Sequence, residues 1–187
     1  MTLTSMPACA GTDIQWKQLP PVPPSKGQTV QVGLAGPFVG AAGEVLIVAG
    51  GANFPDKLPW DGGKKVWWGD IFVLKALPDG QYKWQQDPAQ LPRPMAYGAA
   101  VETPDGLLCI GGADSDRCYS DVLLMKWNPQ ADKVEIQAMP SLPKPLAFFA
   151  AARAGDVVYV VGGTEAAAGH ENEGTDHFWA LDLSLAE

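Results

Sequence analysis

Three apolar runs along the chain each finish on a glycine pair: Val45-Leu46-Ile47-Val48-Ala49-Gly50-Gly51, Leu107-Leu108-Cys109-Ile110-Gly111-Gly112 and Val157-Val158-Tyr159-Val160-Val161-Gly162-Gly163. Gly51 to Gly112 is 61 residues and Gly112 to Gly163 is 51, close to the period of about 50 residues of kelch repeats. A second apolar run follows each pair, as Asp70-Ile71-Phe72-Val73-Leu74, Asp121-Val122-Leu123-Leu124-Met125 and His177-Phe178-Trp179-Ala180-Leu181. A third landmark recurs upstream, as Leu91-Pro92-Arg93-Pro94, Leu142-Pro143-Lys144-Pro145 and the degenerate Leu19-Pro20-Pro21-Val22-Pro23. Runs this short and this continuously apolar suit strands whose sheet is covered on both faces.

Each unit reads as four short strands. The middle unit predicts strands over Met95–Glu102, Leu107–Gly112, Ser120–Trp127 and Lys133–Met139, with Asp105-Gly106 as the tight turn between the first two. The first unit predicts Val32–Val39, Val45–Gly51, Asp70–Leu77 and Gln81–Gln86. The third has three strands, and a spare one stands at the other end, where Ile14-Gln15-Trp16-Lys17-Gln18-Leu19 mirrors Tyr82-Lys83-Trp84. The predicted fold is all-β: a kelch-type β-propeller of about three four-stranded blades. Residues 1–12 are a disordered leader or export-signal remnant. The spare last strand is 13–19, and the blades are 24–90, 91–141 and an incomplete 142–187. A β-sandwich also has short strands and frequent turns, but it does not require a glycine pair followed by a second apolar strand three times over. The glycine pairs are expected where backbones approach closely, with free amides able to face a ligand. Closed propellers hold about four to eight blades. The chain is therefore expected either to be part of a six-bladed protein or to pair with a second copy about a two-fold axis, each lending its spare strand.

Composition narrows the function. Of 187 residues, 47% are hydrophobic, enough for a packed core, and the 21 glycines and 17 prolines fit frequent turns. The formal charge of -8 has no concentrated basic face and argues against nucleic acid. No apolar run reaches the roughly 18 to 20 residues that cross a bilayer, so no membrane span is predicted and the chain is expected to be soluble. Three cysteines form an odd set. No bridge is expected between Cys109, inside a strand, and Cys118, in a loop.

Finer motifs point to a family. Gly33-Leu34-Ala35-Gly36-Pro37-Phe38-Val39-Gly40 leads into Leu46-Ile47-Val48-Ala49-Gly50-Gly51-Ala52-Asn53-Phe54-Pro55, followed by Gly62-Gly63-Lys64-Lys65, Asp70-Ile71 and Ala96-Tyr97-Gly98. This order resembles the N-acetylneuraminate epimerases (sialic acid mutarotases), in particular their cyclically permuted branch, over nearly the whole chain after residue 13. The resemblance implies a six-bladed propeller, a periplasmic or secreted location, no metal or organic cofactor, and interconversion of the anomers of free sialic acid or a related sugar acid. It also implies a catalytic glutamate directly after a Gly-rich strand end with an arginine several residues later, on a blade that the permuted order puts beyond Glu187. The nearest imitations here are Gly112-Ala113-Asp114 with Arg117, and Glu165 after Gly163-Thr164. Activity of the chain alone is therefore in doubt. A non-catalytic kelch module binding a protein or glycan is the alternative.

Mutarotation needs a base, an acid and a cation for the carboxylate beside the anomeric carbon. The candidates for substrate contact are Asn53, Phe54, Lys64, Lys65, Arg93, Tyr97 and Arg117. Lys64 or Lys65 would meet the carboxylate, and Phe54 or a tryptophan (Trp67, Trp68) would pack on the sugar. Arg93, fixed between two prolines, would either bind a carboxylate or tie blade to blade, and Tyr97 would reach the central channel or pack in the core. Catalytic residues stay unassigned. The acidic loop Thr164–Asp176 carries His170, and His177 follows it. Their seven-residue spacing matches no zinc pattern, so the loop is expected to be solvated. The copper radical oxidases also use kelch propellers, but this chain lacks their clustered Tyr, Cys and His ligands.

Overall fold

The computed structural model describes residues 15–166 and 174–185. The first blade consists of β1 (Phe38–Ala42), β2 (Val45–Ala49), β5 (Asp70–Ala76) and β6 (Tyr82–Gln90), hydrogen-bonded antiparallel in that order. A two-stranded ribbon, β3 (Ala52–Asn53) with β4 (Val66–Trp67), rises from its second connection. The second blade runs β7 (Ala99–Thr103), β8 (Gly106–Ile110), β9 (Val122–Asn128) and β10 (Lys133–Met139) in spatial order. The third has β11 (Ala150–Ala154), β12 (Val157–Val161) and β13 (Phe178–Asp182). First strands of neighbouring blades pack side by side, β1 with β7 and β7 with β11, so the sheets radiate from a common axis as the blades of a partial kelch propeller. No helix is long and apolar enough to cross a membrane.

The core lies between blades because the two middle strands of the first and second blades, β2, β5, β8 and β9, are buried on both faces. Phe38, Ile47, Ala49, Ile71 and Val73 of the first blade pack against Leu107, Cys109, Leu123 and Met125 of the second. The second blade's opposite row, Val101, Leu108, Ile110, Val122 and Leu124, packs against Val158 and Val160 of the third. Burial of one such side chain contributes about 1.5–3 kcal/mol, and the blade joints collect most of it. Cys109 and Cys118 are buried and unbridged, as expected from their strand and loop positions.

Two expectations need correction. The first strand of the first blade is Phe38–Ala42 rather than Val32–Val39. Residues before it are drawn into another structure: Ala35 bridges Ala52, and Gly36 then turns left-handed (φ 59). The same step recurs as Ala96↔Ala113 before Tyr97 (φ 67) and Ala147↔Thr164 before Phe148 (φ 57). A left-handed tyrosine or phenylalanine is a steric outlier, and here the backbone is held on both sides of it. Tyr97 N–H donates to the Gly36 carbonyl and Phe148 N–H to the Tyr97 carbonyl, both at 2.8 Å.

The first two glycine pairs also differ from expectation, because their amides are not free. Gly50 N–H donates to Asp70 within its blade, and Gly51 N–H to the Met95 carbonyl of the next (2.9 Å). Gly111 and Gly112 repeat this with Asp121 and Leu146. The need for glycine is steric: a Cβ at Gly50 or Gly111 would fall on the next blade's carbonyl. The pairs are joints between blades, not ligand cradles.

The described part of the expected spare strand, Gln15–Leu19, pairs with no blade in the single chain. From Gln15 to Leu19 the chain is irregular and Trp16 is fully exposed. A last strand exists only when a third strand offers it an edge, and β13 pairs with β12 alone. The chain that follows lies against the first blade instead: the Trp84 indole donates to the Pro20 carbonyl at 2.8 Å, and Lys26 N–H to Asp70 at 3.3 Å.

Candidate functional site

The connections after the glycine pairs and those between blades emerge on one end of the propeller, and two clusters form there. The first is built on the ribbon. Pairing of Ala52 with Trp67 and Asn53 with Val66 folds the long insertion back on itself, and a 3₁₀ turn at Pro59–Asp61 closes its tip. Lys65 is thereby brought over three rings: its ammonium is 4.6 Å from the Tyr97 centroid, 5.4 Å from Trp67 and 6.0 Å from Phe54. Such contacts are worth about 0.5–2 kcal/mol each as desolvation increases. Lys65 makes no ion pair among the described residues. Its charge is oriented by π faces and left without a counter-ion. Together with Asn53, Phe54, Leu34 and Leu58 it lines a pocket of about 380 Å³. Tyr97 stacks on Phe148 (4.6 Å, 21°), so the left-handed residues of the second and third blades carry the floor beneath Lys65.

Asn53 is engaged internally. Its amide donates to the Gly33 carbonyl (2.8 Å) and to Gln31 (3.3 Å), and its Oδ1 accepts from the Trp68 indole (2.9 Å). It positions the ribbon, while Phe54 and Lys65 present themselves to the pocket. Lys64 is exposed and belongs to neither cluster.

The second cluster surrounds Tyr119. The guanidinium of Arg93 lies 4.6 Å over its ring and that of Arg117 5.3 Å, while its hydroxyl donates to the Asp114 carboxylate. Arg93 is paired with Asp121 of its own blade at 2.5 Å, so it does not tie one blade to another. Partial burial pushes the Asp114 carboxyl upward, but hydrogen bonds from Tyr119 and from the amides of Asp116 and Arg117, with the Arg117 charge, outweigh it and hold the group below its ordinary value. Burial, followed by the bond to Asp114, raises the Tyr119 phenol. Asp114 is thus a stable carboxylate and Tyr119 a stable phenol at neutral pH. Alongside, Glu165 accepts from His177 (2.8 Å) and Lys144 (3.0 Å), which in that order hold it below the usual range. His170 lies outside the described residues.

The structure therefore joins Phe54, Lys65 and Tyr97, with Asn53 behind them, and gathers Arg93 and Arg117 elsewhere. Tyr119, the hub of the second cluster, was not foreseen. An aromatic two residues after Arg117, opening an apolar strand, gave no distinctive signal.

Much of this region is shared with known proteins. The N-acetylneuraminate epimerase family model matches residues 4–136, a stretch that takes in both clusters except Lys144, Phe148, Glu165 and His177. The N-acetylneuraminate epimerase of Brucella melitensis biotype 1 is 38% identical over 130 residues, 64% of this chain and 32% of its own length. That of Yersinia enterocolitica serotype O:8 / biotype 1B is 34% identical over 139 residues, 68% and 33%, and that of Vibrio cholerae serotype O1 is 35% identical over 128 residues, 63% and 32%. The chain spans about a third of the length of these curated relatives. The solved structure of YjhT superimposes with a TM-score of 0.54 at 28% identity, over 68% of this chain and 36% of that one. With motif order, blade architecture and these matches in agreement, the chain belongs to the N-acetylneuraminate epimerase family.

Proposed function

We propose that the chain supplies the carboxylate-holding wall of a site that interconverts the α and β anomers of free N-acetylneuraminic acid, in the periplasm or outside the cell. The observation that carries this reading is Lys65: a cation fixed by three rings at a pocket and facing no carboxylate among the described residues. A sugar acid brings the missing anion, and its ring carbons suit the face of Phe54.

Ring opening requires a base to take the anomeric hydroxyl proton while the bond between the anomeric carbon and the ring oxygen breaks and that oxygen is protonated. Recyclisation on the other face of the resulting ketone gives the second anomer and returns both protons. Lys65 would anchor the carboxylate through both directions. Asp114 and Glu165, both held ionised by their neighbours, are weak bases at neutral pH. That observation favours a second reading, in which this chain alone binds the sugar acid without turning it over.

Exchange NMR on the anomers of N-acetylneuraminate separates the two. Faster anomer exchange on adding the protein is expected from the first reading. Saturation transfer to the sugar with unchanged exchange supports the second, and neither effect would remove both.

A further inference from the structure

Of the three rings around the Lys65 ammonium, two travel with it. Phe54 directly follows β3 and Trp67 lies on β4, so both belong to the insertion of the first blade that carries Lys65 itself. Tyr97 belongs to the second blade, and its ring is the nearest of the three, at 4.6 Å against 5.4 Å and 6.0 Å. Rings that move with the ribbon cannot fix where the cation stands relative to the propeller. A ring from another blade can.

All three blades hold that ring. Tyr97 N–H donates to the Gly36 carbonyl of the first blade, and its carbonyl accepts from Phe148 N–H of the third. The ring stacks on Phe148 and packs against Ala113, Cys118 and Ala147. Gly36 makes room for it, because a Cβ there would run into the Tyr97 ring. The backbone at Tyr97 is left-handed (φ 67), a conformation that a bulky residue adopts only at a cost. Gly36 (φ 59) takes the same step in the first blade, so glycine suffices for the architecture. The cost at Tyr97 is therefore borne for the ring, and strain of this kind concentrates at functional sites. Lys65 and Phe54 line the pocket, whereas Tyr97 does not.

We infer that Tyr97 is the positioning residue of the carboxylate anchor: its ring sets the Lys65 ammonium at the pocket without itself touching the sugar acid. The inference rests on the reading of Lys65 as the group that meets the carboxylate, but the contact between ring and cation is testable without sugar.

The test reads the cation and the sugar separately. In protein with carbon-13 in its lysine side chains, and with K65M to assign the signal, the Lys65 methylene protons beside the ammonium should lie upfield of those of exposed lysines. Y97N keeps a residue that tolerates the left-handed backbone and should move that signal toward the exposed position. Y97F should leave it in place. Calorimetric affinity for N-acetylneuraminate should weaken about three- to thirtyfold in Y97N, the range of one cation–π contact, and hold in Y97F. Mono-, di- and trifluorophenylalanine in place of Tyr97 keep the ring's shape while draining charge from its face, so affinity should fall stepwise along the series. A ring that only fills space would give a flat series, which overturns the inference, as does an unmoved Lys65 signal in Y97N. K65M/Y97N should bind no more weakly than K65M. A further loss would mean that Tyr97 touches the sugar itself, and overturns the inference as well. If the unsubstituted protein binds no sugar acid, the anomer reading fails, and the Lys65 signal alone then decides for or against the positioning.

Discussion

At the scale of single residues, the site depends on which charges are already satisfied. Arg93, Lys144 and Lys75 each have a carboxylate partner, with Asp121, Glu165 and Asp132 respectively, whereas among the described residues Lys65 has only rings. K65M should therefore weaken N-acetylneuraminate binding about ten- to hundredfold, the range of a lost charge-assisted bond, with K65R retaining most of it. Titration calorimetry of both variants checks this, and equal affinity for K65M would remove Lys65 from the site. Phe54, Lys65 and Tyr97 were legible because they lie in motif segments that carry the family resemblance. The engagement of Asn53 was not, since an asparagine that binds ligand and one that fixes a loop look alike in sequence. Tyr119 was hidden because its role depends on Arg93, 26 residues earlier, being folded over its ring.

At the scale of elements, strands were readable wherever a two-sided apolar run was bounded by glycine, so β2, β8 and β12 fall where the runs predict. First strands were placed too early in the first two blades, because the left-handed step before them depends on contacts with the neighbouring blade that no local pattern records. A comparable long-range tie joins the outer strands. Buried Asp87 on β6 accepts from Ala89 N–H at 2.9 Å and from Val134 N–H on β10 at 2.8 Å. D87A would leave both amides unsatisfied at a blade joint and should cost about 2–4 kcal/mol, read as a lowered urea midpoint with the slope retained. A loss below 0.5 kcal/mol would mean that water replaces the carboxylate there.

At the scale of the whole molecule, stability is distributed unevenly around the axis. The middle blade is flanked on both faces, whereas the third is covered on one. In the 187-residue chain, amides of β11 and β12 should exchange with deuterium well ahead of those of β8 and β9. Uniform exchange would show that the blades open together. The column of left-handed residues crosses all three blades with one backbone geometry, while its side chains pass from none at Gly36 to a phenol at Tyr97 and a phenyl at Phe148. Main chain carries the architecture at these positions and leaves the decoration to vary. The lining of the axial passage can thus be rewritten one sector at a time, so selectivity can drift across descendants while the scaffold keeps its shape.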